Sequence, residues 1–182
     1  MNTIRQPSQG VFKDKGSKFL SFAFPVKDED EVKNIVVRLK KQYFDARHHC
    51  YAYILGQNGE KFRTNDDGEP SGTAGKPIYG QLLSKNLTNT LIVVVRYFGG
   101  TLLGTSGLIN AYKHAALDAL DNAAIIEAIF FEEKEIRFQY EEANEVLNNL
   151  RKINAEILEQ HFDNECIVKY RIITPPQSNF PK

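Results

Sequence analysis

One stretch of sequence decides the fold: residues 90–107, which read TLIVVVRYFGGTLLGTSG. The five apolar residues from Leu91 to Val95 are mostly β-branched and unbroken, which is typical of a strand buried on both faces. A turn with glycines at positions 99, 100, 104 and 107 follows. Apolar residues at helical spacing then predict a long helix that ends near Asp121. The chain is therefore organised around a buried strand, a glycine-rich turn and a long helix.

The residues before this stretch predict three more strands and two helices. Acidic residues at 28–31 and apolar residues at 32, 35, 36 and 39 predict a helix that starts near Asp28, because carboxylates favour the first turn of a helix. Gln57-Asn58-Gly59 is typical of a hairpin turn. The predicted strands span residues 18–26, 47–55 and 60–64, and the second helix spans residues 75–84.

The residues after 123 predict a second unit of different composition. Residues 1–125 carry sixteen Lys and Arg against twelve Asp and Glu, whereas residues 126–182 carry seven against eleven. The spacing of apolar residues predicts a strand over 130–140, a helix over 141–153, and a hairpin of 155–162 and 165–173 around Asp163-Asn164. We therefore expect an α+β protein of two domains, residues 1–124 and 125–182.

The predicted second domain has the order β-α-β-β, which is the first two thirds of a ferredoxin-like fold. Pro175-Pro176 follows its last strand, so the usual closing helix and strand are expected to be missing. A three-stranded sheet of this kind has an exposed edge, which invites pairing with another chain. We expect a truncated ferredoxin-like domain and, through that edge, a homodimer.

Composition and cysteine usage limit the class of protein. The chain is 42% hydrophobic and 25% charged, as in ordinary globular domains. The net charge of +4 over residues 1–125 is small for a dedicated nucleic-acid binder. Cys50 and Cys166 have no zinc or redox spacing, and there is neither a signal peptide nor an apolar run near membrane-span length. These features predict a soluble protein of the reducing cytoplasm without a membrane partner.

Residues 65–75 form a loop of unusual composition, with three carboxylates, two hydroxyls and three glycines. Asp66, Asp67, Glu69, Ser71 and Thr73 are the side chains that predict a binding loop. The alternative is an acidic surface loop in which Thr73 caps the following helix. No cofactor is predicted, and the three carboxylates are the residues that would hold Mg²⁺ if one is bound.

The glycine-rich turn is the second segment of interest. A strand, a glycine-rich turn and a helix N-terminus present backbone N–H groups to an anion. The spacing matches neither the Walker A motif nor the dinucleotide fingerprint, although residues 103–107 loosely resemble the phosphate loop of galactokinase-type kinases. The alternative is close strand–helix packing that requires glycine. Arg96 follows five buried residues, so we expect it to face either the acidic loop or a ligand.

The third segment is residues 47–53. Strand alternation places Arg47, His49, Tyr51 and Tyr53 on one face and His48, Cys50 and Ala52 on the other. The two histidines therefore point apart and cannot chelate one metal together. One histidine with a carboxylate could bind an ion or transfer a proton, but a structural hydrogen bond is the commoner role. Cys50 shares a face with Ala52, which favours a buried, inert thiol.

These segments resemble the signature blocks of the YigZ/Impact family, in its bacterial two-domain type. The blocks are residues 46–53, 66–75 and 95–112, and residues 15–19 match the opening pattern of the family. The resemblance implies a first domain like domain 2 of ribosomal protein S5 and domain IV of elongation factor G. It also implies a second, ferredoxin-like domain, and binding to nucleic acid or ribosomes. Eukaryotic members regulate the amino-acid-starvation kinase, a role that the resemblance does not transfer to this chain.

Three functions remain open at this point. The first is an RNA-binding or ribosome-associated protein linked to translation. The second is a phosphate-ligand-binding protein or Mg-dependent enzyme that uses the glycine-rich turn and the acidic loop, and the third is a protein–protein adaptor. No catalytic residue is predicted, and a non-enzyme is favoured. The predicted ligand-binding or nucleic-acid-binding residues are Arg47, His49, Tyr51, Asp66, Asp67, Glu69, Ser71, Thr73, Arg96, Tyr97, Gly99, Gly100, Gly104 and Thr105.

Overall fold

The computed structural model describes residues 1–163 and 165–174. The expected mixture of helices and strands is confirmed, and the chain divides into two compact units, the first of which is Met1–Ala128. Asn164 of the expected hairpin turn and the Pro175-Pro176 stop lie outside the described residues. Within the described residues, no helix combines the length and the apolar character needed to span a membrane.

The first unit is built on a five-stranded antiparallel sheet in the order β2-β3-β6-β4-β5. Its strands are β2 (Ser8–Asp14), β3 (Ser17–Pro25), β4 (His48–Leu55), β5 (Lys61–Asn65) and β6 (Thr90–Tyr97). The strand expected from the apolar run of residues 91–95 is thus the central one, β6. It pairs with β3 on one side and with β4 on the other.

Three helices cover the two faces of this sheet. They are α1 (Glu29–Gln42), α2 (Gly75–Ser84) and α3 (Gly104–Asp121). Ile92 and Val94 belong to the core shared with α2 and α3, whereas Val93 and Val95 belong to the core shared with α1. Because β6 is buried on both faces, all its apolar positions are used, which explains the unbroken run in the sequence.

The helix α1 begins where the sequence predicts. The carboxylate of Asp28 accepts a hydrogen bond from the N–H of Glu31 at 2.8 Å, which caps the first turn. Val32, Ile35 and Leu39 lie on one face and are buried against the sheet. The acidic first turn and basic last turn also suit the helix dipole.

A small second sheet joins the two ends of the first unit. The strand β1 (Asn2–Ile4) pairs antiparallel with β7 (Ile125–Glu127). Neither strand is evident from the sequence, because three residues are too few to show a periodic pattern.

In its described residues, the second unit is a three-stranded antiparallel sheet with one α-helix, which follows a single 3-10 turn at Tyr140–Glu142. Its elements are β8 (Phe130–Phe138), α4 (Ala143–Lys152), β9 (Glu156–His161) and β10 (Cys166–Thr174). The strand order is β8-β10-β9, so β10 is central and the other two are edges. Phe138, Leu150, Cys166 and Val168 form its buried core.

The close contact between β2 and α3 can be tested at Gly10. A Cβ on Gly10 would lie 2.7 Å from the carbonyl carbon of Asp118 and closer still to the N–H of Ala119, whereas a Cβ on Gly80 in α2 would meet nothing within 4 Å. We expect Gly10→Ala to lower the free energy of unfolding by about 1–3 kcal/mol. Gly80→Ala should raise it by about 0.5–1 kcal/mol.

Urea denaturation of both variants measures the difference. Both substitutions reduce the freedom of the unfolded chain equally, so the difference reports the folded state. Equal stabilisation by the two alanines would contradict the close approach of β2 to α3.

Candidate functional site

The acidic loop is closed on itself by Asp66. Its carboxylate accepts hydrogen bonds from the N–H groups of Gly72, Ala74 and Gly75, at 2.9, 3.1 and 2.8 Å. Burial raises the pKa of Asp66, but these three bonds to the charged form outweigh it, so the pKa lies below its ordinary value. Asp66 therefore serves the start of α2.

Thr73 does not cap α2, so the alternative interpretation of this loop is wrong in that detail. The helix follows Ala74 and has no side-chain cap from that residue. The hydroxyl of Thr73 donates instead to the carbonyl of Pro70 at 2.7 Å. The carboxylate of Asp66, eight and nine residues before Ala74 and Gly75, replaces the local cap. Capping motifs in a sequence involve residues within one turn, so they do not reveal this acceptor.

Asp67 ties the loop to β4 and α1. Its carboxylate accepts from the N–H of His49 at 2.7 Å and from Nζ of Lys40 at 2.8 Å. Burial raises the pKa of Asp67, and the bonds from Lys40 and His49 lower it by more, so the net shift is downward. The carboxylates of Asp66 and Asp67 thus both accept hydrogen bonds from donors within the protein.

Glu69 makes the third anchor, and it is the most buried one. Its Oε1 accepts from Nη1 of Arg96 at 2.6 Å and from the hydroxyl of Tyr112 at 2.8 Å. The side chains of Arg96 and Glu69 are 6% and 4% exposed, so this ion pair lies out of water. The expectation that Arg96 faces the acidic loop is confirmed, and Glu69 is the carboxylate it meets.

The three carboxylates therefore have separate partners. Asp66, Asp67 and Glu69 accept from different protein donors. Across residues 1–163 and 165–174, no group of three or more His, Cys, Asp or Glu side chains is arranged to hold a metal ion.

Cys50 and Tyr112 complete the inner side of the network. The Cys50 thiol donates to the carbonyl of Asp66 at 3.0 Å and contacts the Tyr112 hydroxyl at 3.3 Å. Burial raises the pKa of both groups far above their ordinary values. The burial expected for Cys50 is confirmed, and the raised pKa disfavours the thiolate that nucleophilic attack requires.

His48 lies beside Glu69. Its Nδ1 contacts the carbonyl of Asp67 at 2.8 Å, which requires a proton on Nδ1, and its Nε2 lies 3.8 Å from Oε1 of Glu69. His49 points to the other face of the sheet, where Nε2 contacts the carbonyl of Tyr43 at 3.0 Å. The two histidines point apart, as strand alternation predicts.

A cavity of about 450 Å³ opens next to the Arg96–Glu69 pair. We call it the α3 cavity. Its lining residues are Arg47, His48, Glu69, Pro70, Arg96, Phe98, Leu102, Leu103, Gly104, Thr105 and Leu108.

The first turn of α3 forms one wall of this cavity. No side chain caps the helix from Leu103, and the first turn contains no acidic residue. The N–H groups of the first turn of a helix have no partner within the helix and carry partial positive charge. The wall therefore offers donors for an anion.

Arg47 and Phe98 also line the cavity, at what we call its rim. Both are exposed, and the Arg47 guanidinium lies 5.9 Å from the centre of the Phe98 ring. Arg96 approaches the same ring at 5.8 Å. Leu102, 83% exposed, adds an apolar side chain to the turn.

The structure divides the predicted site residues between the two faces of the sheet. The members that line the α3 cavity are Arg47, Glu69, Arg96, Gly104 and Thr105. Tyr51 and Tyr97 pack on the α1 side, where the Tyr97 hydroxyl donates to Asp45 at 2.9 Å, and His49 lies on that side as well. Arg47 was expected to share a face with His49, but it precedes β4 and does not follow the alternation of the strand.

The remaining predicted residues lie outside the cavity lining. Ser71 is exposed and Thr73 is buried. Gly99 packs against the backbone of Gly16 and Ser17 so closely that a Cβ has no room, so its contact is with the turn between β2 and β3 and not with a helix. Gly100 is exposed and has a φ of 88°, which favours glycine.

Sequence reasoning missed several lining residues. His48 is one of them. Strand alternation placed His48 on the same face as Cys50 and Ala52, and this alternation is the signal that could have identified it as a site residue. Pro70, Leu102, Leu103 and Leu108 carry no such signal, because an apolar residue in a turn or helix is usually part of a core.

Residues 15–120 match the family model of the Impact N-terminal domain. The chain belongs to the IMPACT family. The family expected from the three sequence blocks is thereby confirmed, and the match includes every residue that lines the α3 cavity.

Bacterial relatives extend over both units of this IMPACT-family chain. The IMPACT family member YvyE of Bacillus subtilis (strain 168) is 33% identical over 160 residues, which are 88% of this chain and 74% of that protein. The IMPACT family member YigZ of Escherichia coli (strain K12) is 31% identical over 163 residues, 88% of this chain and 79% of that protein. A crystal structure of a hypothetical protein matches at a TM-score of 0.78 and 28% identity, and the match covers 94% of this chain and 84% of that one.

The role of Asp66 predicts a pH-dependent stability. When folding lowers the pKa of a carboxyl, its charged form stabilises the folded protein. This contribution is fully present at pH values above the ordinary pKa of 3.8, and it is lost as the pH falls through the lower pKa of the folded state. We expect Asp66→Asn to lower the free energy of unfolding by about 1 kcal/mol at pH 7 and by progressively less on acidification below about pH 4.

Urea denaturation curves recorded between pH 2.5 and pH 7, at intervals of about half a pH unit, measure this difference. Glu127→Gln, at an exposed position in the strand β7, is the control and should change stability little over this range. A loss for Asp66→Asn that stays constant with pH would contradict the bonds to the charged carboxylate.

The buried ion pair predicts a large loss on removal of one partner. We expect Arg96→Met to lower the free energy of unfolding by about 3–5 kcal/mol, because it leaves Glu69 buried without a cation. The matched control is Lys85→Met, since the side chains of the Lys85–Asp121 pair are 35% and 55% exposed and such a pair contributes at most about 1 kcal/mol.

A double variant separates the charge from the shape of the side chain. Arg96→Met combined with Glu69→Gln removes both charges, so we expect it to be more stable than Arg96→Met alone. Equal losses for Arg96→Met and Lys85→Met, measured by thermal unfolding, would show that the buried pair does not hold the loop.

Proposed function

We propose that this chain is an RNA-binding protein that associates with ribosomes through the rim of the α3 cavity, and that it acts in translation or its regulation. One observation carries the proposal. The cavity brings an exposed cation, Arg47, an uncapped helix N-terminus, at Gly104, and an exposed aromatic ring, Phe98, to one surface. Cations and helix N-termini contact phosphate, and aromatic rings stack on bases.

The charges around the cavity favour an anionic partner. Arg47 and Arg96 outnumber Glu69 among the charged lining residues when His48 is neutral. Asp66 and Asp67 lie close to Glu69 in the sequence, but they do not line the cavity. Their negative charges are balanced by backbone N–H groups and by Lys40. The acidic loop is therefore compatible with a phosphate that approaches from the Arg47 side.

Arg96 has a different role in this proposal from that of Arg47. Its guanidinium is buried and bonded to Glu69, so it supports the loop and contributes positive potential to the cavity floor. Arg47 is exposed and free to contact a phosphate at the rim. We do not propose metal-dependent chemistry, because the carboxylates it would use are held by protein donors.

The family supports the wider assignment. We propose that the first domain is related to domain 2 of ribosomal protein S5 and domain IV of elongation factor G, and that the second unit, which begins after Ala128, is ferredoxin-like. The strand order β8-β10-β9 supports the second assignment, because a ferredoxin-like sheet places its third strand between its first and second. A second copy would pair at β9, an edge strand whose residues are all exposed.

Co-sedimentation with purified ribosomes, at low and moderate salt, tests this function. We expect salt-sensitive pelleting of the wild type and weaker pelleting of Arg47→Ala, with a salt slope reduced by about one phosphate contact. Arg63→Ala is the matched control, because Arg63 is exposed, pairs with Tyr53 and lies on the α1 side of the sheet.

Each outcome distinguishes the cavity from the rest of the surface. Loss with Arg47→Ala and not with Arg63→Ala would support docking at the cavity rim. Equal loss in both variants would point to a diffuse electrostatic contact, and no pelleting of the wild type at either salt concentration would overturn the proposal.

A further inference from the structure

We propose that the α3 cavity receives a single unpaired nucleotide of an RNA strand, with its phosphate at the first turn of α3 and its base on the ring of Phe98. This inference rests on the proposed function and names the part of RNA that the site takes. Three observations carry it: the backbone donors that line the cavity, the exposed aromatic ring that lines it as well, and the volume of the cavity.

The phosphate end is made of backbone. Gly104 has a φ of 70°, and a Cβ placed on it would meet nothing within 4 Å, so the space in front of this residue is open to an approaching group. Thr105 follows and adds an exposed hydroxyl beside the N–H groups of the first turn. A phosphate oxygen can accept from such groups without any rearrangement of the helix.

A second and independent feature at this cavity also fits an anion. Arg96 is 95% buried, and its Nε has no hydrogen-bond partner among the described residues, although its Nη1 is bonded to Glu69. Buried polar atoms are normally satisfied by protein or by a bound group. Because Arg96 lines the cavity and one of its N–H groups has no partner, its guanidinium adds a positive charge that favours an anion there.

The base end is apolar and aromatic. Two large apolar side chains of the glycine-rich turn are exposed to solvent: Phe98 is 40% exposed and Leu102 is 83% exposed. The guanidinium groups of Arg47 and Arg96 lie within 6 Å of the Phe98 ring centre, at 5.9 and 5.8 Å. A nucleobase stacked on this ring gains contact with an aromatic face and with Arg47.

The dimensions favour one nucleotide over a duplex. A volume of about 450 Å³ lies within the range of pockets that enclose one small ligand. Paired bases have both faces covered by their neighbours in the helix, so only an unpaired base can lie flat on Phe98. Single-stranded loops and ends are therefore the class of RNA that fits this site.

Binding of labelled RNA, followed by fluorescence anisotropy, tests the inference. The probes are a single-stranded oligouridine and a duplex of the same length and net charge per strand. We expect Phe98→Ala to weaken single-strand binding about tenfold and to leave duplex binding unchanged. Phe44→Ala is the matched control, because Phe44 is 84% exposed and does not line the cavity.

A second readout reports the stacking itself. The chain contains no tryptophan, so Phe98→Trp places a single tryptophan at the base end of the cavity, and its emission can be excited apart from that of the tyrosines. We expect its emission to be quenched by the single strand and much less by the duplex, while Phe44→Trp responds to neither. Melting temperatures of all four variants should match the wild type, since both phenylalanines are exposed.

The outcomes separate this inference from the proposed function. Single-strand preference that is lost in Phe98→Ala supports both. Equal binding of single strand and duplex, unaffected by Phe98→Ala, overturns the unpaired-nucleotide site while RNA binding stands. Absence of binding to either RNA overturns the proposed function and this inference with it.

Discussion

The buried carboxylate of Glu69 joins the three parts of the first unit that form the site. It belongs to the acidic loop, and it accepts from Arg96 at the end of β6 and from Tyr112 in α3. Because the pair lies out of water, neither charge can lose its partner without a large penalty. This requirement holds the loop, the strand end and the helix in one arrangement, and the α3 cavity is the space left between them.

The same arrangement gives the acidic loop a structural meaning. Asp66 closes the loop and serves the first turn of α2, Asp67 binds Lys40 and β4, and Glu69 binds Arg96. Each negative charge is neutralised by donors within the protein. The positive groups that remain at the surface of the cavity are Arg47 and the N-terminus of α3, which is why an acidic segment can border a site for phosphate.

The division of residues by the central sheet decides which of them can act together. Adjacent residues on a strand point to opposite faces, so Arg96 lines the cavity and Tyr97 packs on the α1 side. The same rule sends His48 to the cavity and His49 to the carbonyl of Tyr43. The polar residues of the three sequence blocks therefore lie on two opposite faces of the sheet and do not form one continuous surface.

The sequence by itself determined the features that depend on a local pattern. The apolar run of residues 91–95 identified the central strand, Asp28 and the apolar spacing identified α1, and three blocks in order identified the family. It also placed Arg96 where a charge must find a partner. These results follow because burial of a strand, capping of a helix and the cost of a lone charge depend on neighbours along the chain.

Only the tertiary structure decided which groups meet. The sequence offered three carboxylates for Arg96, and the register of β4 beside β6 together with the path of an aperiodic loop selected Glu69. Packing of the turn also brought Leu102 to the cavity beside Phe98, although a leucine in a turn does not by itself signal a site. Periodicity assigns a residue to a face of its own element, whereas contacts between elements depend on how those faces are brought together, and no local pattern encodes that.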